Sequence, residues 1–328
     1  MKLLFSVVLS FCSFLLYADE IKITTWNIET LGASDGRGFA GGFGRGKLPL
    51  RTDQQIQDIS ALIKKELKSD VLAVQEILIT HTLDDGTSRN FQLDKIIKAL
   101  GDEWRYYLPP EEGADDDETM FLGFIWNSAK FDNVRIRPMT FENQKLAGKS
   151  LFDRIPLIGY FDFDHPVGEG NDFVLVNVHM ASGQHHDENH LIAMTLIEYN
   201  LSKQLLNNEI KESDRIILGD FNDNPYAKTN TGNQAYSSAL YNHMQFKKYK
   251  NFVTEDLGAT RMNTKLTSII DHILVNKSAQ NHLIVDKAVI FKPEGGASSY
   301  ANWRKTYSDH FPITISMKPS KSDDDVDF

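Results

Sequence analysis

Five apolar runs along this chain each meet a polar cluster at one end. Ile21–Trp26 runs into Asn27, Val71–Val74 into Gln75 and Glu76, Phe173–Val178 into His179, and Ile216–Leu218 into Gly219, Asp220, Phe221 and Asn222. The last, Phe311–Ile315, is preceded by Ser308, Asp309 and His310. Runs of this length predict buried strands. Met120–Trp126, Asn133–Arg137, Leu157–Phe163, Ser268–Val275 and Leu283–Ile290 read as further strands. Helical spacing is confined to three places. Thr52-Asp53-Gln54-Gln55 has the form of a capping box, followed by Ile56, Ile59, Ile63 and Leu67 on one face. Phe91–Leu100 predicts a shorter helix. A third starts near Asp187, with Leu191, Met194, Ile197, Leu201 and Leu205 on its buried face. Many strands with few, separated helices predict an α/β fold of two stacked sheets flanked by helices. No repeat is visible and no long linker divides the chain.

Polar groups at strand ends are how folds assemble a site. Gathered at one rim, the five tips would supply His179 and His310, the carboxylates of Glu76, Asp220 and Asp309, and the amides of Asn27 and Asn222. Three carboxylates share a pocket only around a cation. Two histidines handle protons or bind an anion. The pattern points to a metal-assisted reaction on an anionic ester.

Composition narrows this picture. The chain has 328 residues, 41% hydrophobic and 24% charged, which suits a large core in one domain or at most two. Residues 1–18 read as a secretory signal: Lys2, the apolar stretch Leu3–Leu16, and Tyr17-Ala18 before Asp19. The expectation is a secreted protein, extracellular or periplasmic. Cys12 is the only cysteine and would leave with the leader, so the mature chain would have no disulfide or thiolate metal site. Losing Lys2 takes the formal charge from −10 to −11. That disfavours non-specific binding to polyanions but not a local cationic groove. Glu111–Glu118 and Ser322–Asp327 hold much of the acidity, as a solvated loop and a tail; the loop has a structural Ca²⁺ site as its alternative. Gly32–Gly46 carries seven glycines in fifteen residues, with Arg37, Arg45 and Lys47 in or beside it. It reads as a loop that either meets substrate phosphate or is simply flexible.

Six segments together resemble the endonuclease/exonuclease/phosphatase superfamily, of which pancreatic-type deoxyribonuclease is a member. They are Thr25-Trp26-Asn27, Val74-Gln75-Glu76, Asn177-Val178-His179, Gly219-Asp220-Phe221-Asn222, Ile270-Asp271-His272 and Ser308-Asp309-His310-Phe311-Pro312. They fall in the family's order across residues 20–317. Phe152-Asp153-Arg154-Ile155-Pro156 looks like the Arg-x-Pro segment of the deoxyribonuclease, whose arginine contacts phosphate; a surface salt bridge is the alternative for Arg154. The resemblance implies a four-layer α/β sandwich of mostly antiparallel sheets over residues 19–318, with an acidic tail at 319–328.

The implied chemistry is hydrolysis of a phosphate ester by in-line attack of water. Glu76 would bind the metal, with Asn27 and Asp309 nearby; oxygen ligands suit Mg²⁺, Mn²⁺ or Ca²⁺. Asp220 would position or deprotonate water, Asn222 and Arg154 would hold the phosphate, and Asp271 would orient His310. His179 would act from the opposite side, with Glu118 as a candidate partner. His272 would point to the other face by strand alternation. His185, His186 and His190 read as a polar loop opening a helix. The resemblance implies a metal-dependent nuclease acting on nucleic acid, DNA by preference, as a monomer without a membrane anchor. Two features depart from the deoxyribonuclease: there are no cysteines for its disulfides, and Ile77-Leu78-Ile79 stand where it has a groove-reading arginine. The alternatives are a phosphoesterase of the same fold acting on a sphingomyelin-like lipid or an inositol phosphate, and a catalytically silent binding protein. A membrane-acting member would show an exposed aromatic hairpin, for which Asn302-Trp303 is the one candidate.

Overall fold

A computed structural model describes residues 20–32, 50–110, 120–141, 145–146, 149–152, 154–163, 171–182, 187–206, 212–226, 249–262, 268–295 and 297–319. The candidate leader, the glycine-rich segment beyond Gly32, the acidic run Glu111–Glu118, Asp153, His185, His186 and the tail beyond Pro319 lie outside the described residues.

Thirteen described strands build two sheets: β1 (Ile21–Leu31), β2 (Val71–Ile77), β3 (Trp104–Tyr107), β4 (Phe121–Asn127), β5 (Asn133–Pro138), β6 (Leu157–Phe163), β7 (Asn171–His179), β8 (Arg215–Asp220), β9 (Lys250–Asn251), β10 (Asp271–Val275), β11 (Leu283–Val285), β12 (Val289–Ile290) and β13 (Ile313–Pro319). The first sheet runs β11-β13-β1-β2-β4-β3, with β12 also on β13; the second runs β9-β10-β8-β7-β6-β5. Two short ribbons, His81–Thr82 with Ser88–Arg89 and Lys145–Leu146 with Lys149–Ser150, stand apart.

Both sheets follow one plan. A parallel pair sits at the centre, β1 with β2 and β7 with β8, and the neighbouring pairings are antiparallel. A parallel pair requires a crossover, and here each crossover is a helix. Helix α1 (Asp53–Ala61) joins β1 to β2 and extends as a π-helical stretch, Leu62–Leu67. Helix α2 (Phe91–Leu100) follows, and α3 (Asp187–Leu206) joins β7 to β8. Helices α4 (Ala279–His282) and α5 (Ala297–Thr306) complete the described set.

Period-two alternation sorts each strand onto two faces. On the inner faces, Ile23, Val71 and Ala73 meet Phe173, Leu175, Ile216, Leu218 and Ile273 to form the central core. Outward, Trp26, Ile28, Leu72 and Val74 pack under Ile56, Ile59, Leu93, Ile96 and Trp303. On the other side, Val174, Val176, Val178 and Ile217 pack under Ala193, Met194, Ile197 and Leu201 of α3. Each such side chain contributes about 1.5–3 kcal/mol on burial. The result is the two stacked sheets flanked by helices that the pattern predicted, and the four-layer α/β sandwich that the resemblance implied.

The expected capping box is present: Thr52 Oγ1 accepts from Gln55 N at 3.3 Å and Gln55 Oε1 accepts from Thr52 N at 2.8 Å. Several expectations need correction. Leu191 is 40% exposed, because α3 begins at Asp187 and its buried stripe starts with Ala193 and Met194. Ser268–Val275 is a strand only from Asp271, with Ser268 in a bridge to Arg261. Leu283–Ile290 breaks into β11 and β12 around Asp286, whose amide bonds Ser316 O. Asn302-Trp303 lies in α5, and the Trp303 ring is buried beneath Phe291 and Phe311, so it is no exposed hairpin.

The inner face changes character toward one rim. Beyond the apolar layer, Gln75 and Asn177 meet across the sheets, both fully buried. Gln75 Nε2 donates to Asn177 Oδ1 at 2.8 Å, and Asn177 Nδ2 donates to Val74 O at 3.1 Å and Gly123 O at 2.9 Å. A buried amide with all three bonds made is costly to remove. Asn177→Ala is expected to destabilise the protein by about 2–4 kcal/mol, read as a lower urea midpoint with unchanged slope; an unchanged midpoint would show that the sheets do not depend on this pair.

Candidate active site

The same inner-face positions, one step further along the strands, carry polar and ionisable groups. Asn27 follows Ile23 and Thr25 on β1, His179 follows Asn177 on β7, and Asp220 follows Leu218 on β8. Asp271 precedes Ile273 on the antiparallel β10. Register fixes three of them in a row: His179 pairs with Asp220, and Asp220 with Asp271. The parallel strands therefore end at one rim with side chains already aimed between the sheets, as binding sites at carboxyl ends of strands do.

Glu76 needs a further device, since alternation from Val74 would place it under the helices. Its backbone is left-handed, with φ of 63°, and the β2–β4 register shifts between Val74 and Ile77. Its carboxylate instead accepts from Asn27 Nδ2 at 2.9 Å. Asn27 Nδ2 also donates to Asp220 Oδ2 at 3.1 Å, so one amide lies between two carboxylates. Gly219 has φ of 144°, and a Cβ there would lie 2.0 Å from Val178 O, so this position requires glycine. Asn222 is left-handed at 48°; its N–H donates to Asp220 Oδ1 at 2.9 Å and its side chain to Met180 O at 2.8 Å.

Ser308 sets up the last strand's contribution. Its hydroxyl donates to Asn27 O at 2.6 Å and accepts from His310 N at 3.0 Å. Trp26 and Trp303 both donate their indole N–H to His310 O. His310 Nδ1 then lies 2.9 Å from both oxygens of Asp271, with Nε2 3.7 Å from Asp220 and 3.9 Å from Asp309. His179 Nε2 is 3.5 Å from the same Asp220 oxygen. His179 Nδ1 has no partner among the described residues, and Glu118, its expected carboxylate, lies outside them.

These contacts separate the two imidazoles electrostatically. Burial opposes a charge on His310, but Asp271, Asp220 and Asp309 outweigh it and raise the ring to about 10. For His179, burial and the Arg154 guanidinium act together and push it well below the usual histidine range. Asp220 is raised to about 7, by burial first and by Asp271 second. Burial also opposes the Asp309 carboxylate, yet His310, Arg261 and Arg304 hold it below the ordinary value.

These groups line a cleft of about 300 Å³ with Glu29, Thr30, Arg154, Ser182, Asn222 and Arg261. Arg154 is buried there and makes no salt bridge among the described residues, where its Nε also has no partner. Sequence reasoning missed Glu29, Arg261 and Arg304. Arg261 Nε and Nη2 both bond Asp309 Oδ2, at 3.2 and 3.1 Å. Arg304 forks onto Glu29 Oε1, and Glu29 Oε2 accepts from Asp309 N at 3.0 Å. Glu29 lies two residues past Asn27, a usable signal, whereas Arg261 and Arg304 arrive from outside the strand tips. His272 is on the opposite face, as alternation requires, held by Asn251 and by the carbonyls of Asp223 and Ile269. His190 is buried on α3 with Nε2 2.8 Å from Ala181 O.

The profile of the endonuclease/exonuclease/phosphatase family matches residues 24–310. The chain belongs to this family. Among solved structures it is similar to a family protein from Bacteroides thetaiotaomicron, at 16% identity and TM-score 0.55, covering 92% of this chain and 98% of that one. A mannosyl-6-phosphatase from the same organism matches at 17% and 0.54, covering 90% and 99%. ANGEL2, a 2′,3′-cyclic phosphatase, matches at 11% and 0.57, covering 92% and 95%. At these identities the likeness is one of fold. No curated protein matches the chain. Family membership places the chain among phosphoester hydrolases, and the cleft at the strand tips is its candidate active site.

Asp271→Asn is expected to move the His310 titration down from about 10, because the substitution removes the carboxylate that contributes most to its charge. Imidazole resonances followed by NMR across pH would report it; an unmoved His310 would show that the Asp271 contact does not control its charge.

Proposed function

We propose that this chain hydrolyses phosphodiester bonds in DNA with the help of a divalent cation, as a secreted nuclease. The observation that carries the substrate reading is Arg154. A buried guanidinium with an open Nε faces the cleft beside His179 and Asn222, in the segment that resembles the phosphate-contacting stretch of the pancreatic-type enzyme. A cation so placed in an acidic chain suits an anionic diester. The burial of Trp303 takes away the aromatic candidate for a membrane-facing hairpin, which favours a soluble anionic substrate over a lipid.

The donor set fits a hard cation. Glu76 and Asp220 line the cleft with the Asn27 amide bonded to both, and Asp309 lies nearby with its charge met by Arg261. Asp220, Asp271 and His310 also bring one donor atom each within 4.8 Å of one another. Mg²⁺ or Mn²⁺ suits the oxygen-dominated set. When bound, the ion would neutralise phosphate charge as the transition state develops.

The protein's own groups would divide the remaining work. Asp220, aimed into the cleft by its strand register, would position the attacking water. His310, held as an imidazolium by Asp271, would face the phosphoryl oxygens with a fixed positive charge. His179, neutral and 3.5 Å from Asp220, would exchange a proton on the other side of the phosphorus. Arg154 and Asn222 would orient the diester.

Plasmid DNA, RNA, sphingomyelin and a phosphomonoester should be offered to the purified chain with Mg²⁺ and with chelator. DNA cleavage is expected with Mg²⁺ and none after exhaustive chelation. His179→Ala and His310→Ala should each slow it by about 10² or more. Intact DNA alongside hydrolysis of the lipid or the monoester would replace the nuclease reading, and full activity under chelation would remove the cation.

Arg154→Ala should weaken DNA cleavage and reduce the slope of log activity against log salt by about one, the signature of one lost phosphate contact. An unchanged slope would take Arg154 away from the substrate.

A further inference from the structure

The carboxylates at the rim are not equally provided with counter-charges. Glu29 is matched by the Arg304 fork, and Asp271 by His310, whose Nδ1 sits 2.9 Å from both of its oxygens. Asp309 is matched by Arg261: Nε and Nη2 converge on the single oxygen Oδ2, and Arg304 Nη2 stands 4.0 Å from it. The other oxygen of Asp309 faces His310 Nε2 at 3.9 Å. Glu76 and Asp220 differ. The group shared between them is the neutral Asn27 amide, at 2.9 and 3.1 Å, and Asp220 otherwise has the neutral Asn222 N–H at 2.9 Å and the two imidazoles at 3.5 and 3.7 Å.

Buried charges without compensation cost several kcal/mol each, so a cation is attracted where matching is incomplete. That place is the Glu76–Asp220 gap. At Asp309 the charge is already met by two bonds from Arg261 to Oδ2, and Oδ1 faces His310. At Asp271 an ion would have to break the imidazole pair. We infer, on the metal-dependent reading above, that Arg261 is a fixed cation of the cleft that stands in for a second metal ion at Asp309, so that the chain holds one divalent ion between Glu76 and Asp220.

Arg261 suits that duty. A guanidinium keeps its charge at every working pH and offers donors in a rigid fork. Its side chain is 39% exposed and lines the cleft, so it neutralises Asp309 without blocking the space in front of Glu76. It sits on a short bridge to Ser268 and His310, which fixes its backbone against the Ser308–His310 turn.

Bound Mn²⁺ can be counted on the full chain by electron paramagnetic resonance and calorimetry, without substrate. One ion is expected in the wild type, two in Arg261→Met, and one again in Arg261→Met with Asp309→Asn. Asp309→Asn alone should leave the wild-type ion's affinity nearly unchanged, whereas loss of a true ligand would weaken it about tenfold or more. Two ions in the wild type, or a single ion in folded Arg261→Met, would overturn the inference. So would a large loss of affinity in Asp309→Asn, a measurement that stands even if Arg261→Met fails to fold. No bound Mn²⁺ at all would overturn the metal reading itself, while one ion in a protein that spares DNA would leave this inference standing and remove only the nuclease assignment.

Discussion

Everything at the rim depends on the contact between Gln75 and Asn177. These two amides close the gap between the sheets one residue behind the ionisable cluster, and each is committed to the opposite sheet. The inner face thus passes in three steps from hydrocarbon, through hydrogen-bonded amides, to charge. An amide layer in the middle matters because a carboxylate set directly on the apolar layer would lose hydration with nothing returned. The amides also fix how the sheets face each other, and with that the reach of Asn27 to Asp220.

Four of the five non-glycine residues with left-handed backbone among the described residues, Glu29, Thr30, Glu76 and Asn222, line this cleft. Each costs about 1–2 kcal/mol relative to ordinary backbone. At three of the four a specific contact offsets the cost. Glu76 reaches Asn27, Asn222 caps Asp220, and Glu29 meets both Arg304 and the Asp309 amide. Strain gathered at one place, with compensating bonds, is the mark of a preorganised site.

Period two explains how much of this the sequence disclosed. The strands end in the polar residues that make the site, and alternation alone puts Asn27, His179, Asp220 and Asp271 on one side and His272 on the other. Helix α2 and the Thr52 cap were equally plain, since both rest on local contacts. The remainder was hidden for identifiable reasons. Glu76 points correctly only because its backbone breaks alternation. Trp303 belongs to a helix that stacks on Tyr307 and Phe311 and, through Tyr307, reaches Trp26, distant in the chain. Arg261 and Arg304 carry no periodic signal, and their meaning arises from carboxylates 48 and 275 residues away.

The two sheets also divide the chemistry. The imidazole–carboxylate line of His179, Asp220 and Asp271 is written in the strand register of one sheet, so its spacing is as fixed as the ladder itself. The counter-charges come from elsewhere: Arg154 precedes β6, Arg261 precedes β10 and Arg304 rides on α5. Proton-handling groups therefore stand on rigid elements, while the groups that would set which anion enters stand on connections between them. A fold arranged this way can change its substrate by changing the connections and leave Asp220 poised between its two imidazoles. The same separation accounts for the limit of the family motifs, which lie at the strand tips and speak to the reaction more than to the molecule it acts on.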